Sequence, residues 1–315
     1  MKYLSLFSGI GGFELGIEAG YSLTVKQAEE AVSGSTPPPA QYEKSLDNRR
    51  NTETPKLELH RDMSDLNSSY GNRWRTNPTC IGYSEIDKYA IQVYEKHFKH
   101  KNFGDITKIK EDELPDFDLL VGGFPCQAFS IAGKRKGFED TRGTLFFDIA
   151  RILRAKQPRL FLLENVKGLL SHDSGRTFKT IVSTLTELGY DLQWQVLNSK
   201  NFGVPQNRER VFIVGHLRGT SRPKVFPFGE NGERDIKKQL SRKKTNEGNN
   251  IEDDKSRGGY SLPRIRRLTP KECERLQGFP DNWTEGVSDT QRYKCLGNAV
   301  TVNVIKEIIN KCLKE

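Results

Sequence analysis

The chain has 315 residues, enough for one large buried core and a smaller lobe. Its 50 Lys and Arg against 41 Asp and Glu give a formal net charge of +9, which suits a polyanionic partner only if the excess is gathered in one place. No apolar run reaches the length of about eighteen residues that a membrane span needs, and MKYLSLFSGIGG lacks a signal-peptide pattern, so a soluble, cytoplasmic protein is expected.

KYLSLF at 2–7 reads as a first strand, followed by the turn SGIGG and a helix through FELGIEAG. Residues from about 21 to 79 contain GSTPPPAQ and a polar run with little apolar periodicity, which predicts an inserted surface loop. CIGYSEI at 80–86 predicts a second strand, with a helix from Lys88 to His97 after it. FDLLVGG at 117–123 predicts another strand, ending in Phe-Pro-Cys-Gln, and LFFDIARILRA a helix. PRLFLLENV at 158–166 has the continuous apolar interior of a strand covered on both faces, and VFIVGHL at 211–217 closes the series. Six or so such units predict an α/β fold with a doubly wound, mostly parallel sheet. Between Arg218 and Arg267, fourteen Lys and Arg face seven Asp and Glu, so +7 of the charge lies in one segment, whose residues 229–260 read as loop-like.

The five cysteines, Cys80, Cys126, Cys273, Cys295 and Cys312, are scattered and contain no C-x-x-C pair, which argues for reduced thiols and against a disulfide framework or a metal site. Cys126 stands at the carboxyl end of a buried strand, either as a small core filler or as a nucleophile at the mouth of the sheet. The glycines at 9, 11, 12 and 16 open a helix after a strand, where bare backbone can approach a nucleotide. They do not fit G-x-G-x-x-G, because position 14 is Glu14. Glu85, ending the second strand, is placed to accept hydrogen bonds from ribose hydroxyls, so a nucleoside cofactor other than NAD is expected.

The succession FSGIGG, SEID, GDIT, GGFPCQAFS, ENV, QNRERVFIVG, RRLTPKECERLQGFPDNW and GNAVTVNV resembles the cytosine-C5 DNA methyltransferase family of bacteria and their phages. These blocks span roughly two-thirds of the chain in the family's linear order. The resemblance implies a Rossmann-like fold that uses S-adenosylmethionine, with a smaller basic DNA-recognition domain. It implies that the Cys126 thiolate adds to carbon 6 of a flipped-out cytosine and that Glu164 protonates or hydrogen-bonds ring nitrogen N3. Arg208 and Arg210 would position the cytosine carbonyl oxygen, a phosphate or the catalytic loop; as alternate residues of an extended segment they face one way. Phe7, Ser8, Gly9 and Gly11 would line the methionine and ribose region, Glu85 would hold the ribose, and Asp105 with Ile106 would meet the adenine edge. Pro125, Leu145, Asn298 and Val300 align with further cofactor contacts. The loop AGKRKGFEDTRG, with Ser130, Lys134, Arg135 and Lys136, would close over the base, its Gly133 and Gly137 suiting a mobile lid.

The implied organisation is a catalytic and cofactor-binding domain at 1–217 with an insertion at about 21–79, and a target-recognition domain at 218–290. A C-terminal segment at 291–315 returns to the catalytic domain, its helix VIKEIINKCL packing against the first strand. The implied partner is double-stranded DNA, with a cognate restriction endonuclease acting on the same site; the protein is expected to be a monomer associated with the nucleoid. Two features depart from the family pattern. Only about fifty residues separate GHL from RRLTP, and the insertion is long, with Arg73, Trp74 and Arg75 a second candidate for DNA contact. The alternatives are an RNA cytosine-5 methyltransferase on the same core and a catalytically inactive DNA-binding homologue.

Overall fold

Short runs of Tyr, Leu, Val and Phe between glycine-rich turns are stiff and apolar, and here they pair into one sheet. The computed structural model describes residues 1–33, 77–125, 145–220, 223–228 and 266–314. Among the described residues the strands are β1 (Lys2–Leu6), β2 (Thr79–Ser84), β3 (Leu119–Gly123), β4 (Leu160–Val166), β5 (Tyr190–Asn198) and β6 (Glu209–Leu217). They lie in the order β2-β1-β3-β4-β6-β5. The first four are parallel to one another, whereas β6 runs antiparallel to both β4 and β5. The sheet is therefore mixed and mostly parallel, and the strand order reverses between β1 and β3, where α/β sheets open a crevice at their carboxyl ends.

Alternate strand residues feed two apolar layers. Tyr3, Leu119, Val121, Leu160 and Leu162 meet α1 (Gly12–Ser33) on one face, while Leu4, Leu6, Leu120, Phe161 and Leu163 meet α3 (Leu145–Lys156) and α4 (Arg176–Glu187) on the other. A third cluster joins Ile10 to α2 (Lys88–His97), α5 (Pro270–Gln277) and α6 (Asp289–Asn298) through Phe279 and Trp283. Trp283 donates from Nε1 to the Ile10 carbonyl at 2.8 Å and stacks on His97 with ring centroids 3.5 Å apart. The described residues at 266–298 are thereby anchored beside the first turn.

The last helix, α7 (Val302–Cys312), lies along α1. Gly12, Gly16 and Gly20 recur at helical spacing on the face that meets Val300, Ile305 and Ile309. A Cβ at Gly20 would stand 2.7 Å from the Lys306 carbonyl oxygen and 2.9 Å from Ile309 Cβ. Bare glycine lets the two backbones approach, and the main partner of the C-terminal helix is α1 rather than the first strand.

Three further expectations need correction. The first helix continues to Ser33 instead of giving way to a loop at about 21, because no Gly or Pro interrupts YSLTVKQAEEAVS and its composition favours a helix. Strand β5 went unread: YDLQWQVLN is an edge strand, half polar and mostly half-buried, so its apolar signal is weak. The final strand is antiparallel because the short 199–208 connection cannot make the crossover that a parallel neighbour needs. The bulk of the insertion, 34–76, and the greater part of the basic segment, 229–265, lie outside the described residues.

Candidate active site

In the paired ends of β3 and β4, Gly123 lies opposite Glu164. A Cβ at 123 would approach Glu164 Oε2 to 3.3 Å, so glycine leaves room for the carboxyl group. Glu164 is 8% exposed, and burial pushes its carboxyl up from the ordinary range, opposed by Arg210 and then Arg208. Arg210 Nε stands 3.0 Å from Oε1. One carboxyl oxygen is thus held in an ion pair, and the group as a whole is biased toward carrying a proton.

Asn165 connects this acid to the neighbouring segment. It is buried, donates from Nδ2 to the Phe124 carbonyl at 2.9 Å, and accepts from the Val166 backbone N–H at 2.8 Å. The exposed Pro125 follows. Cys126 lies outside the described residues, as do Ser130, Gly133, Lys134, Arg135, Lys136 and Gly137; the described residues before it end at Pro125, next to the Phe124 carbonyl that Asn165 ties to β4. Burial raises every described thiol: Cys80 and Cys312 to about 12, Cys295 to about 11, and Cys273 upward. None of these four is poised as a thiolate at neutral pH.

Arg208 and Arg210 diverge. Arg210 reaches Glu164, whereas Arg208 donates from Nη2 to the carbonyls of Ala299 at 2.7 Å and Gly297 at 3.1 Å. Burial depresses the Arg208 guanidinium to about 10, and its Nε has no hydrogen-bond partner. It therefore fastens the start of β6 to the stretch containing Asn298 and Val300. Val300 is buried against Gly12, where a Cβ would come within 2.9 Å of its Cγ2, while Asn298 is exposed at the end of α6.

The turn after β1 holds Gly9 and Gly11 at φ of 55° and 88°, conformations that glycine adopts without strain, and Phe7 at 54°, where a non-glycine residue is uncommon. Gly9 N–H donates to Glu85 Oε2 at 2.9 Å, and Glu85 Oε1 accepts from the backbone of Ile86 and Asp87 at 2.8 and 2.9 Å. Ser8 donates its hydroxyl hydrogen to the Ser5 carbonyl or hydroxyl, at 3.1 and 2.9 Å. Asp105 caps the turn Ile106–Lys108 by accepting from the Thr107 N–H and hydroxyl, which hold its carboxyl below the usual range. Ile106 is 3% exposed and points into the core, its carbonyl accepting from Arg151 and from the Ile109 N–H, and Leu145 packs half-buried at the start of α3.

Positions 9 and 104 face open space: a Cβ at Gly9 or Gly104 would have no neighbour within 4 Å. The turn, Glu85 and Asp105 thus present side-chain-free backbone at Gly9 and Gly104 beside two carboxylate acceptors, groups that fit the hydroxyls and amino group of a nucleoside. Sequence reading missed two residues here. Ile86 is 73% exposed beside Glu85, an apolar side chain with no periodic pattern to flag it. Glu14 is fully buried; an acid between Phe13 and Ile17 on the apolar face of a helix was the available signal.

Residues 72–231 and 221–314 match the family profile described as C-5 cytosine-specific DNA methylase. The chain is 43% identical over 284 residues to the type II methyltransferase M1.ScrFI of Lactococcus lactis subsp. cremoris, covering 73% of this chain and 71% of that one. It is 44% identical over 274 residues to the type II methyltransferase M.NgoBI of Neisseria gonorrhoeae, covering 74% and 86%. The fold is also similar to the crystal structure of S. pombe Dnmt2 methyltransferase, with a TM-score of 0.59 at 18% identity over 98% of this chain and 97% of that one.

Proposed function

The chain belongs to the C-5 cytosine-specific DNA methylase family, and from that premise we propose how its residues divide the work of methylating carbon 5 of cytosine in DNA. Carbon 5 is a poor nucleophile until electron density is pushed into the ring. The Cys126 thiolate adds to carbon 6 while Glu164 gives a proton or a strong hydrogen bond to N3, and the ring electrons move toward carbon 5. S-adenosylmethionine supplies the electrophilic methyl group. Loss of the carbon 5 proton to a base then expels the thiolate and restores the ring. Because the duplex hides its bases, the cytosine is rotated out of the stack to reach this pair.

The observation that carries this reading is Glu164: a buried acid with a raised pKa, held by Arg210 at 3.0 Å on the sheet edge from which the chain runs to Cys126. The four other cysteines are unsuited to nucleophilic attack, which supports Cys126 in that role. For the cofactor, the turn Phe7–Gly11 would take the methionine and ribose portion, Glu85 the ribose hydroxyls, and Asp105 with the Ile106 backbone the adenine edge. The exposed Ile86 offers an apolar platform beside Glu85. Pro125, Leu145, Asn298 and Val300 would complete the wall. We place target recognition in 218–290, its basic segment contacting phosphates and its base-edge contacts choosing the sequence. Kinship with type II methyltransferases supports a place in a restriction-modification system beside a nuclease of the same specificity.

Bisulfite sequencing of a plasmid from cells expressing the chain tests the reading. Protected cytosines in one short sequence context are expected, and their absence would overturn it. Cys126→Ser should abolish protection and retain DNA binding, whereas near-normal turnover in that variant removes Cys126 from its role. DNA carrying 5-fluorocytosine should trap the wild type as a covalent adduct, because fluorine cannot leave as a proton; no adduct is expected from an inactive DNA-binding homologue. Labelled-cofactor assays on duplex DNA and structured RNA in parallel separate the RNA alternative.

A further inference from the structure

Beneath the turn after β1 lies a buried polar cluster that the methyl-transfer chemistry does not use. Glu14, in the first turn of α1, is 0% exposed. Its Oε1 accepts from the Tyr94 hydroxyl at 3.0 Å, and that hydroxyl lies 2.8 Å from His100 Nδ1. Its Oε2 is sealed from solvent without a hydrogen-bond partner, although the Ser5 hydroxyl stands near enough to favour the ionised form. Ser8 in turn donates to Ser5 Oγ at 2.9 Å. The titratable groups facing Glu14 are Tyr3 on β1, Glu18 one turn along α1, Cys80 and Tyr83 on β2, and Tyr94 on α2, every one of them an acid. The basic group of the cluster is His100, on the far side of the Tyr94 hydroxyl from Glu14. Burial lifts the Glu14 carboxyl to about 7 and lowers His100.

The cluster joins the two halves of the cofactor crevice. Ser8 belongs to the turn, while α2 begins just after Glu85 and ends in the loop that leads to Asp105. The Phe98 ring fills the space beside Gly11 that a side chain would take, and Tyr83 stacks on Tyr94 with centroids 3.9 Å apart. Asn102 donates to the Glu85 carbonyl at 3.2 Å and accepts from Gly104 N–H at 2.8 Å, so the loop that Tyr94 and His100 brace is also the loop that carries Asp105.

We propose that Glu14, Tyr94 and His100 are positioning residues for the cofactor crevice, linked to a proton that holds its two halves together. With Glu14 neutral, the proton on Oε2 finds an acceptor at Ser5 Oγ, Tyr94 donates to Oε1, and His100 Nδ1–H donates to the Tyr94 oxygen. Loss of the proton leaves a buried charge met by the hydroxyls of Tyr94 and Ser5 and penalised by its burial, and the chain from the turn to the loop loosens to admit water. The proposal rests on the cofactor reading given above.

Calorimetry of S-adenosylhomocysteine binding to the full chain without DNA tests it. Wild-type affinity should weaken about three- to tenfold between pH 6 and 8, within the limit that one proton sets of about tenfold per pH unit. Glu14→Gln, whose amide mimics the neutral acid, should flatten that profile while turnover at saturating cofactor stays within about twofold of wild type. Tyr94→Phe should weaken binding at pH 6 by about fivefold through loss of the central hydroxyl, and it reports on the same chain if Glu14→Gln does not fold. A purely structural role would lower thermal stability without changing the pH profile of affinity. If Glu14→Gln and Tyr94→Phe keep the wild-type affinity and profile while Glu85→Ala loses binding, the positioning proposal alone falls. If the wild type binds no S-adenosylhomocysteine at any pH, the cofactor reading falls and takes the proposal with it.

Discussion

Between Arg210 Nε and Glu164 Oε1 there are 3.0 Å, with Glu164 buried and Arg210 half-buried at the mouth of the sheet. Burial pushes the carboxyl up and the two arginines oppose it, so the acid stays above the ordinary carboxylate range. In the proposed mechanism the protonated form is the useful one, so turnover should fall as pH rises through the Glu164 pKa. Glu164→Gln should remove that alkaline limb and slow the reaction by at least about tenfold, the lower side of what a general acid contributes. A pH profile of kcat/KM decides it, and an unchanged limb in Glu164→Gln would assign the titration elsewhere. Glu14 titrates through stability instead. Its carboxyl rises from an ordinary 4.5 to about 7, so the folded chain holds a proton that the unfolded chain has already released between those values. Stability should therefore be greatest below 4.5, fall as pH rises toward 7, and lose about 3 kcal/mol over the window. Chemical denaturation at pH 5 and pH 8 should show this slope in the wild type and not in Glu14→Gln.

The pairing of α1 with α7 depends on the glycines at 12, 16 and 20. Replacing a helical glycine with alanine normally stabilises by about 0.5–1 kcal/mol. At Gly20 the added methyl would meet the Lys306 backbone oxygen at 2.7 Å, an atom that cannot turn aside as a side chain can. Gly20→Ala should therefore destabilise by about 1–3 kcal/mol, read as a lower midpoint in denaturant at unchanged slope. A midpoint at or above the wild-type value would show that the helices are not held this closely. These glycines also mark where sequence reading stops. Helix α2 was legible from Lys88 to His97 because Asp87 caps it and its apolar face is periodic. Gly16 was read only as a mismatch to a nucleotide fingerprint, because its real partner lies nearly three hundred residues away. At the site, residue types and order were legible, but the route of each side chain was not. Arg208 and Arg210 alternate on an extended segment, yet one reaches Glu164 and the other the Gly297 and Ala299 carbonyls.

At the scale of the whole molecule, charge and chemistry are separated along the chain. Glu164, the turn after β1 and the buried cluster around Glu14 draw on short-range hydrogen bonds in partly dry surroundings, which salt screens little. Of the +9 net charge, +7 falls between Arg218 and Arg267. If that segment meets DNA phosphates, each one neutralised releases counterions, and log affinity falls with log salt by about 0.9 per contact. DNA binding followed by fluorescence anisotropy between roughly 50 and 200 mM salt should weaken steeply, while S-adenosylhomocysteine binding stays nearly flat. Replacing Lys237, Lys238, Arg242, Lys243 and Lys244 with Gln should cut the DNA slope by up to about 4.5 if all five meet phosphates, and leave cofactor affinity as it was. A variant slope equal to that of wild type would move the phosphate contacts elsewhere, with Arg73 and Arg75 of the insertion the next to be replaced.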